Sequence, residues 1–276
     1  MSPTSTADEL LLAFHARHPG ATTRAFANGR LEDGRSSYEL LADNADPGGV
    51  TLDLGCGDGH LLNLLIDRGF AADRLVGVDM SESEIAAART RPALTGVRLL
   101  CRRAQGTSLP DASFDSVLSH LALMLMSDVE RVVTELARLL RPGGRFAAVV
   151  GGGSGECDAF ELFLDSFRAE AERCQAKVPP IGDRRTRDPS GLATLFHPAI
   201  GFTSIDVSAH IIRLDGDAER VWEILAGMYQ MMVLTSDAAA RLRARFVADA
   251  AALADASGTV PCTMRLLLAT ATRSSR

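Results

Sequence analysis

Three glycines at alternate positions, Gly55, Gly57 and Gly59, follow the short apolar run Val50–Leu54, which carries one acid, Asp53. Glycine has no Cβ, so a backbone built this way can turn sharply and come close to a ligand. Leu61–Ile66 reads as a helix whose first N–H groups face the turn, an end that attracts anionic or polar ligand groups. Strand, glycine turn and helix together predict a cofactor cradle. Asp79 closes a second apolar run, Leu75–Val78, about twenty residues on, where a carboxylate can accept from ribose hydroxyls. His120 follows a further run, Phe114–Ser119. An imidazole there could take a proton from a phenol, an amine or a ring near neutral pH, or it could only line a pocket.

The glycine spacing discriminates between cofactors. A dinucleotide fingerprint needs glycine at position 60, which is His60, and the third glycine comes one place early. The pattern Asp53-x-Gly55-x-Gly57-x-Gly59 instead resembles the first motif of class I S-adenosylmethionine (SAM)-dependent methyltransferases. Asp79, Gln105-Gly106-Thr107-Ser108-Leu109-Pro110, Phe114–His120 and Leu139–Phe146 resemble the later motifs. The similarity is to the small-molecule branch, of the ubiquinone/menaquinone-biosynthesis and natural-product-tailoring type. It covers Val50 to Val150 well and the rest in outline.

That resemblance implies an α/β fold: a Rossmann-like, doubly wound, seven-stranded sheet with its last strand antiparallel and helical cap insertions. It implies SAM as cofactor, S-adenosylhomocysteine as product, and no metal. Asp53, Leu54, Gly55, Cys56, Gly57, Gly59, His60, Asp79, Met80, Gln105, Gly106 and Ser119 are the expected cofactor residues. Gln105 stands where relatives often carry an acid that accepts from the adenine amino group; its amide carbonyl can accept there too. His120 is the expected base, and Tyr229 the second catalytic candidate. Tyr38, Met124, Phe163, Phe167, Met228 and Met232 are expected to touch the acceptor, since methionine adapts to flat apolar ligands. Core packing explains any one of these apolar residues equally simply. Arg184, Arg185 and Arg187 can bind an acceptor carboxylate or form a solvated loop with Asp183 and Asp188.

The elements that must hold these groups follow from periodicity and caps. Residues 1–46 read as a helical cap segment, 47–150 as the cofactor-binding core, and 151–276 as the rest of the sheet with cap insertions. Ser81 with Glu84 and Ser127 with Glu130 have capping-box spacing. Arg24–Gly34 reads as a loop and Gly151–Gly155 as a hinge. Glu219–Leu234 reads as one amphipathic helix with Val221, Trp222, Leu225, Met228, Tyr229 and Met232 on a face. Ser236 is expected to cap a helix running to about Ala254, and Val260–Thr272 to be the final strand.

Composition narrows the partners. The formal charge of the 276 residues is −6, which argues against a nucleic-acid partner and for a small-molecule acceptor. The five cysteines are odd in number and lack C-x-x-C spacing, which favours free thiols in a cytoplasmic setting. No apolar run has the ~20 residues of a membrane helix, and residues 1–6 do not read as a signal peptide. A monomer or a homodimer is compatible with the chain. Three functional readings stay open: a methyltransferase acting on carbon, oxygen or nitrogen, a nicotinamide-dependent oxidoreductase, and a SAM-binding module without methyl transfer.

Overall fold

The computed structural model describes residues 6–155 and 158–275; the expectations for residues 1–5 and for Cys157 fall outside them. β1 (Thr51–Leu54), β2 (Leu75–Asp79), β3 (Arg98–Cys101), β4 (Phe114–His120), β5 (Leu140–Ser154), β6 (Phe202–Arg213) and β7 (Thr263–Arg273) form one sheet in the order β3-β2-β1-β4-β5-β7-β6. β1 to β5 run parallel, and β7 is antiparallel to both neighbours. The strand order reverses between β1 and β4, so a crevice opens beyond their carboxyl ends.

The helices are α1 (Thr6–Arg17), α2 (Ala21–Phe26), α3 (Ser37–Ala42), α4 (His60–Asp67), α5 (Glu82–Arg89), α6 (Val129–Leu139), α7 (Ala159–Arg173), α8 (Pro189–Leu195), α9 (Ala218–Ala226) and α10 (Ser236–Ala251). Side chains alternate across the central strands. Leu118, Ala147 and Val149 pack with Leu61, Leu65 and Ile85 of α4 and α5. Val117, Phe146 and Ala148 pack on the opposite face with Val132, Leu136, Leu192 and Phe196 of α6 and α8 and the turn after it. α7, α9 and α10 form a cap around Phe163, continuous with the α4–α5 face of the core; the Phe163 ring lies 6.1 Å from Trp222 and 5.9 Å from Phe246.

Several local expectations are corrected by tertiary partners. Residues 24–34 are not all loop, because α2 runs to Phe26 and buries it. Gly151–Ser154 is not a hinge: it continues β5, paired across a bulge with Leu266, Arg265 and Met264 of β7. The amphipathic helix stops at Ala226, where Gly227 closes it by donating to Ile224. The chain then reforms as a 3-10 turn, Tyr229–Val233. Asp128, not Ser127, precedes α6; the Ser127 hydroxyl accepts from Gln105, and Glu130 pairs with Arg185. The Ser81 hydroxyl accepts from the Glu84 N–H, but the Glu84 carboxylate turns away from the helix end toward His15. Thr235, not Ser236, caps α10, which ends at Ala251.

Candidate functional site

The glycine turn is held in backbone conformations that L side chains avoid: φ is 81° at Gly55, 51° at Gly57 and 78° at Gly59. It is also crowded. A Cβ at Gly55 would fall 2.3 Å from the Ala122 Cβ, and one at Gly59 2.5 Å from Leu94. Glycine is therefore required twice over at Gly55 and Gly59, by conformation and by space, and by conformation alone at Gly57.

Two buried acids face this turn. The Asp79 carboxylate accepts from the Gly57 N–H at 2.9 Å and the Ser81 N–H at 2.8 Å. Burial pushes its pKa up, against those hydrogen bonds. Asp53 is 1% exposed, and neither of its carboxyl oxygens has a partner among the described residues. Burial, and then the charges of Asp79 and Asp58, raise it well above the usual carboxylate range. A buried acceptor left unpaired is costly, so this arrangement fits a site built for a donor from outside the chain.

Three adjoining cavities open from the crevice. The first is lined by Leu54, Gly55, Asp79, Met80, Gln105 and Met126. The second is lined by Asp53, Cys56, Gly57, His60, Tyr38 and His120. The third, of about 370 Å³, is mostly apolar, with Phe14, Phe26, Met124, Phe160, Met228 and Tyr229 on its walls and Arg187 and Gln230 among its polar groups. α1 and α2 lie across the mouth. Asp8 pairs with Arg103, the Thr23 hydroxyl donates to Asp58 at 2.6 Å, and His15 meets Glu84 at 2.6 Å.

Residues 52–148 match the family described as a methyltransferase domain. The malonyl-acyl-carrier-protein O-methyltransferase of Methylococcus capsulatus is 34% identical over 117 residues, 42% of this chain and 42% of its own length. The demethylmenaquinone methyltransferase of Symbiobacterium thermophilum is 33% identical over 104 residues, 36% of this chain and 41% of its own length. In fold the chain is similar to the YcgJ protein of Bacillus subtilis, with a TM-score of 0.57 at 19% identity, covering 86% of this chain and 98% of that one. Over residues 52–148 the chain is thus similar to methyltransferase domains, and its fold is theirs. The chain covers less than half the length of either curated relative.

The expected cofactor residues divide by cavity. Leu54, Gly55, Asp79, Met80 and Gln105 meet in the first, and Asp53, Cys56, Gly57 and His60 in the second. Gln105 donates its amide N–H to the Ser127 carbonyl at 2.5 Å, so its own carbonyl faces elsewhere. Gly59 shapes the turn from behind, and Gly106 lines none of the three cavities. Ser119 is buried between β1 and β5, its hydroxyl unpartnered among the described residues, and it too lies off the linings.

The expected acceptor residues separate in the same way. Met124, Met228 and Tyr229 line the third cavity. Phe163 and Phe167 do not; they are the centre of the cap formed by α7, α9 and α10. Met232 turns outward, its sulfur accepting from Arg17 at 3.9 Å. Tyr38 is buried beside the glycine turn, with burial raising its phenol pKa. Its ring stacks on His120 at 3.6 Å and meets His60 edge-on at 4.5 Å.

His120 sits on the second cavity, not the third. Its Nε2 meets the Ser37 hydroxyl at 2.9 Å, and burial pushes its pKa down to about 3. Its ring lies against Ser37 and Tyr38 of α3, whereas Leu121, at φ 51°, and Leu125 line the third cavity as well as the second. Of the three arginines singled out, Arg185 is taken by Asp183 and Glu130. Arg187 reaches the third cavity, and among the described residues its guanidinium donates only to the Met124 carbonyl, at 3.5 Å. Sequence reasoning missed His15, Phe14 and Phe26. The only signal they carry is membership of a short amphipathic front segment.

Proposed function

We propose that the chain transfers a methyl group from SAM to a small apolar or aromatic acceptor. The favoured acceptor atom is an electron-rich ring carbon, as in an indole, phenol or quinol, with oxygen and nitrogen next. The observation that carries this reading is the juxtaposition of the glycine cradle with a third cavity walled by aromatic and methionine side chains. At about 370 Å³ that cavity is of small-ligand size. Arg187, with no carboxylate partner among the described residues, favours an acceptor that also bears an acidic group.

When bound, SAM supplies a methyl group already activated on a sulfonium. The chain's residues hold and align. Asp79 takes the ribose hydroxyls, with Met80 and the Gln105 carbonyl toward the base. Asp53 would offer its unpaired oxygens to the methionine ammonium, and the turn N–H groups and His60 would hold the carboxylate. Alignment of this kind lowers a barrier by ~7–11 kcal/mol. The apolar walls and the α1–α2 cover exclude water from the nucleophile.

Two measurements test the reading. Calorimetry should give binding of SAM and S-adenosylhomocysteine, and none of NAD(H) or NADP(H). Mass spectrometry of wild-type protein with SAM and a library of small aromatic metabolites should give S-adenosylhomocysteine together with an acceptor heavier by one methyl group. Tight nicotinamide binding, or SAM binding with no methylated product across the library, would overturn it.

A further inference from the structure

A methyl group that leaves the cofactor cavities for the acceptor cavity must cross the seam where their walls are shared. Among the described residues only two line all three cavities, His15 and Leu125. Leu125 is apolar, so His15 is the one side chain at that seam able to take a proton. It projects from α1, and its side chain is 20% exposed.

The ring is held in one orientation. His15 Nδ1 lies 2.6 Å from Oε1 of Glu84, whose side chain is only 2% exposed. A carboxylate accepts, so Nδ1 carries a proton, and in the neutral ring Nε2 is the nitrogen that can accept one. Among the described residues Nε2 has no hydrogen-bond partner. Glu84 is itself fixed: the Gly20 N–H donates to both its oxygens, at 3.0 and 2.9 Å. Gly20 takes a left-handed conformation, φ 72°, where a Cβ would strike Asp58 at 2.9 Å. A backbone amide thus fixes the acid, and the acid fixes the imidazole. This is the logic by which a carboxylate sets the tautomer of a working histidine.

We infer that His15 is the general base of the reaction and Glu84 its positioning residue. This rests on the methyl-transfer reading above. The acceptor's electron pair forms the bond to the methyl carbon while the carbon–sulfur bond breaks onto sulfur, which becomes a neutral thioether. The proton that the acceptor hydroxyl, amine or ring carbon gives up passes to His15 Nε2, and the imidazolium so formed is paired with the Glu84 carboxylate. His120 lines the second cavity but not the third, and its Nε2 is engaged by Ser37, so it does not meet the acceptor cavity as His15 does.

The test needs no acceptor in its first arm. ¹⁵N NMR of the histidine rings is recorded with S-adenosylhomocysteine and then with SAM, which differ by one methyl group and one positive charge. The His15 resonances should show a protonated Nδ1 and a bare Nε2, and should move between the two ligands more than those of His120. Glu84→Gln should abolish the fixed tautomer. If residues of the glycine turn respond but His15 does not, the base assignment falls and methyl transfer stands. If no residue responds to either ligand, both fall.

The second arm compares S-adenosylhomocysteine formation by wild type and His15→Ala with phenol and indole as probe acceptors. The variant should keep its affinity for S-adenosylhomocysteine, lose a factor on the order of 10²–10⁴ in kcat, and recover part of it with added imidazole. Glu84→Gln should lower kcat by a smaller factor that imidazole does not restore. Equal rates in wild type and His15→Ala, including no turnover by either, would overturn the assignment.

Discussion

Gly55 and Ala122 lie in van der Waals conflict with any larger residue at position 55, since a Cβ there would stand 2.3 Å from the Ala122 Cβ. Gly143, at φ 80°, has the same kind of backbone with open space around it. Gly143→Ala should therefore cost only the left-handed strain, ~1–2 kcal/mol. Gly55→Ala should cost more, and should also lower S-adenosylhomocysteine affinity at least about tenfold. Thermal unfolding and calorimetry on the two variants check this; equal losses would mean that crowding is not what excludes a side chain from the turn.

The two buried acids should fail in different ways. Asp79→Ala removes an acceptor from ligand hydroxyls and from two backbone N–H groups, a loss on the order of 1–3 kcal/mol in S-adenosylhomocysteine affinity. Asp53→Asn should weaken S-adenosylhomocysteine but leave 5′-methylthioadenosine, which lacks the amino-acid part, nearly unaffected. Isothermal titration with both ligands is the measurement. A parallel loss for both ligands in Asp53→Asn would move Asp53 away from the ammonium.

His120 makes a prediction about stability. Its pKa is depressed to about 3 in the folded chain by burial, against about 6.5 unfolded. Below about pH 6.5 the unfolded state binds a proton that the native state refuses, so stability falls with falling pH, by up to ~1.4 kcal/mol per unit until about pH 3. Denaturant titrations of wild type and His120→Phe between pH 7 and 5 should show a shallower loss in the variant. Superimposable slopes would place His120 in water more than the structure does.

Phe163 fills the centre of the helical cap, at 0% exposure. Phe163→Ala should destabilise the chain by roughly 3–5 kcal/mol. S-adenosylhomocysteine affinity, measured well below the melting temperature, should stay close to that of wild type. A large loss of affinity in a folded variant would show the cap and the cradle to be one energetic unit.

Arg187 should sort acceptors by charge. For a matched pair differing only in carboxylate against carboxamide, wild type should favour the acid, and Arg187→Ala should raise KM for the acid about tenfold or more, with little change for the amide. Equal effects on both would reduce Arg187 to packing.

The cradle was legible in the sequence because its requirements are local. Alternating glycines and an acid at a strand end are spacing rules, and Gly55, Gly57, Asp53 and Asp79 occupy the turn they imply. The third cavity was legible only in part: Met124, Met228 and Tyr229 line it as expected, but His15, Phe14 and Phe26 carried no such signal. The partner of Glu84 is His15, 69 positions away, so a residue that reads as one half of a helix cap serves another helix. His120 reads as reaching the acceptor because it ends β4, yet α3 packs on that strand end and holds its ring at the second cavity, off the third. The run Glu219–Leu234 keeps helical spacing throughout, and only Gly227 betrays the break that brings Met228 and Tyr229 to the cavity.

One wall of the third cavity is made by Gly151, Gly152 and Gly153, the stretch of β5 that β7 keeps in the sheet. Three consecutive positions there expose peptide groups and no side chains, so this wall has no rotamers to adjust and cannot close up around a smaller guest. A Cβ at Gly151 would sit 3.3 Å from the Met124 sulfur, and its addition would narrow the room by about one methyl group while leaving the cradle untouched. A change of that size in a pocket is worth about 1–3 kcal/mol between competing ligands. Gly151→Ala should therefore shift the preference of the third cavity from larger guests toward smaller ones, with the hydrogen atom at Gly151 acting as a spacer that no side chain can replace.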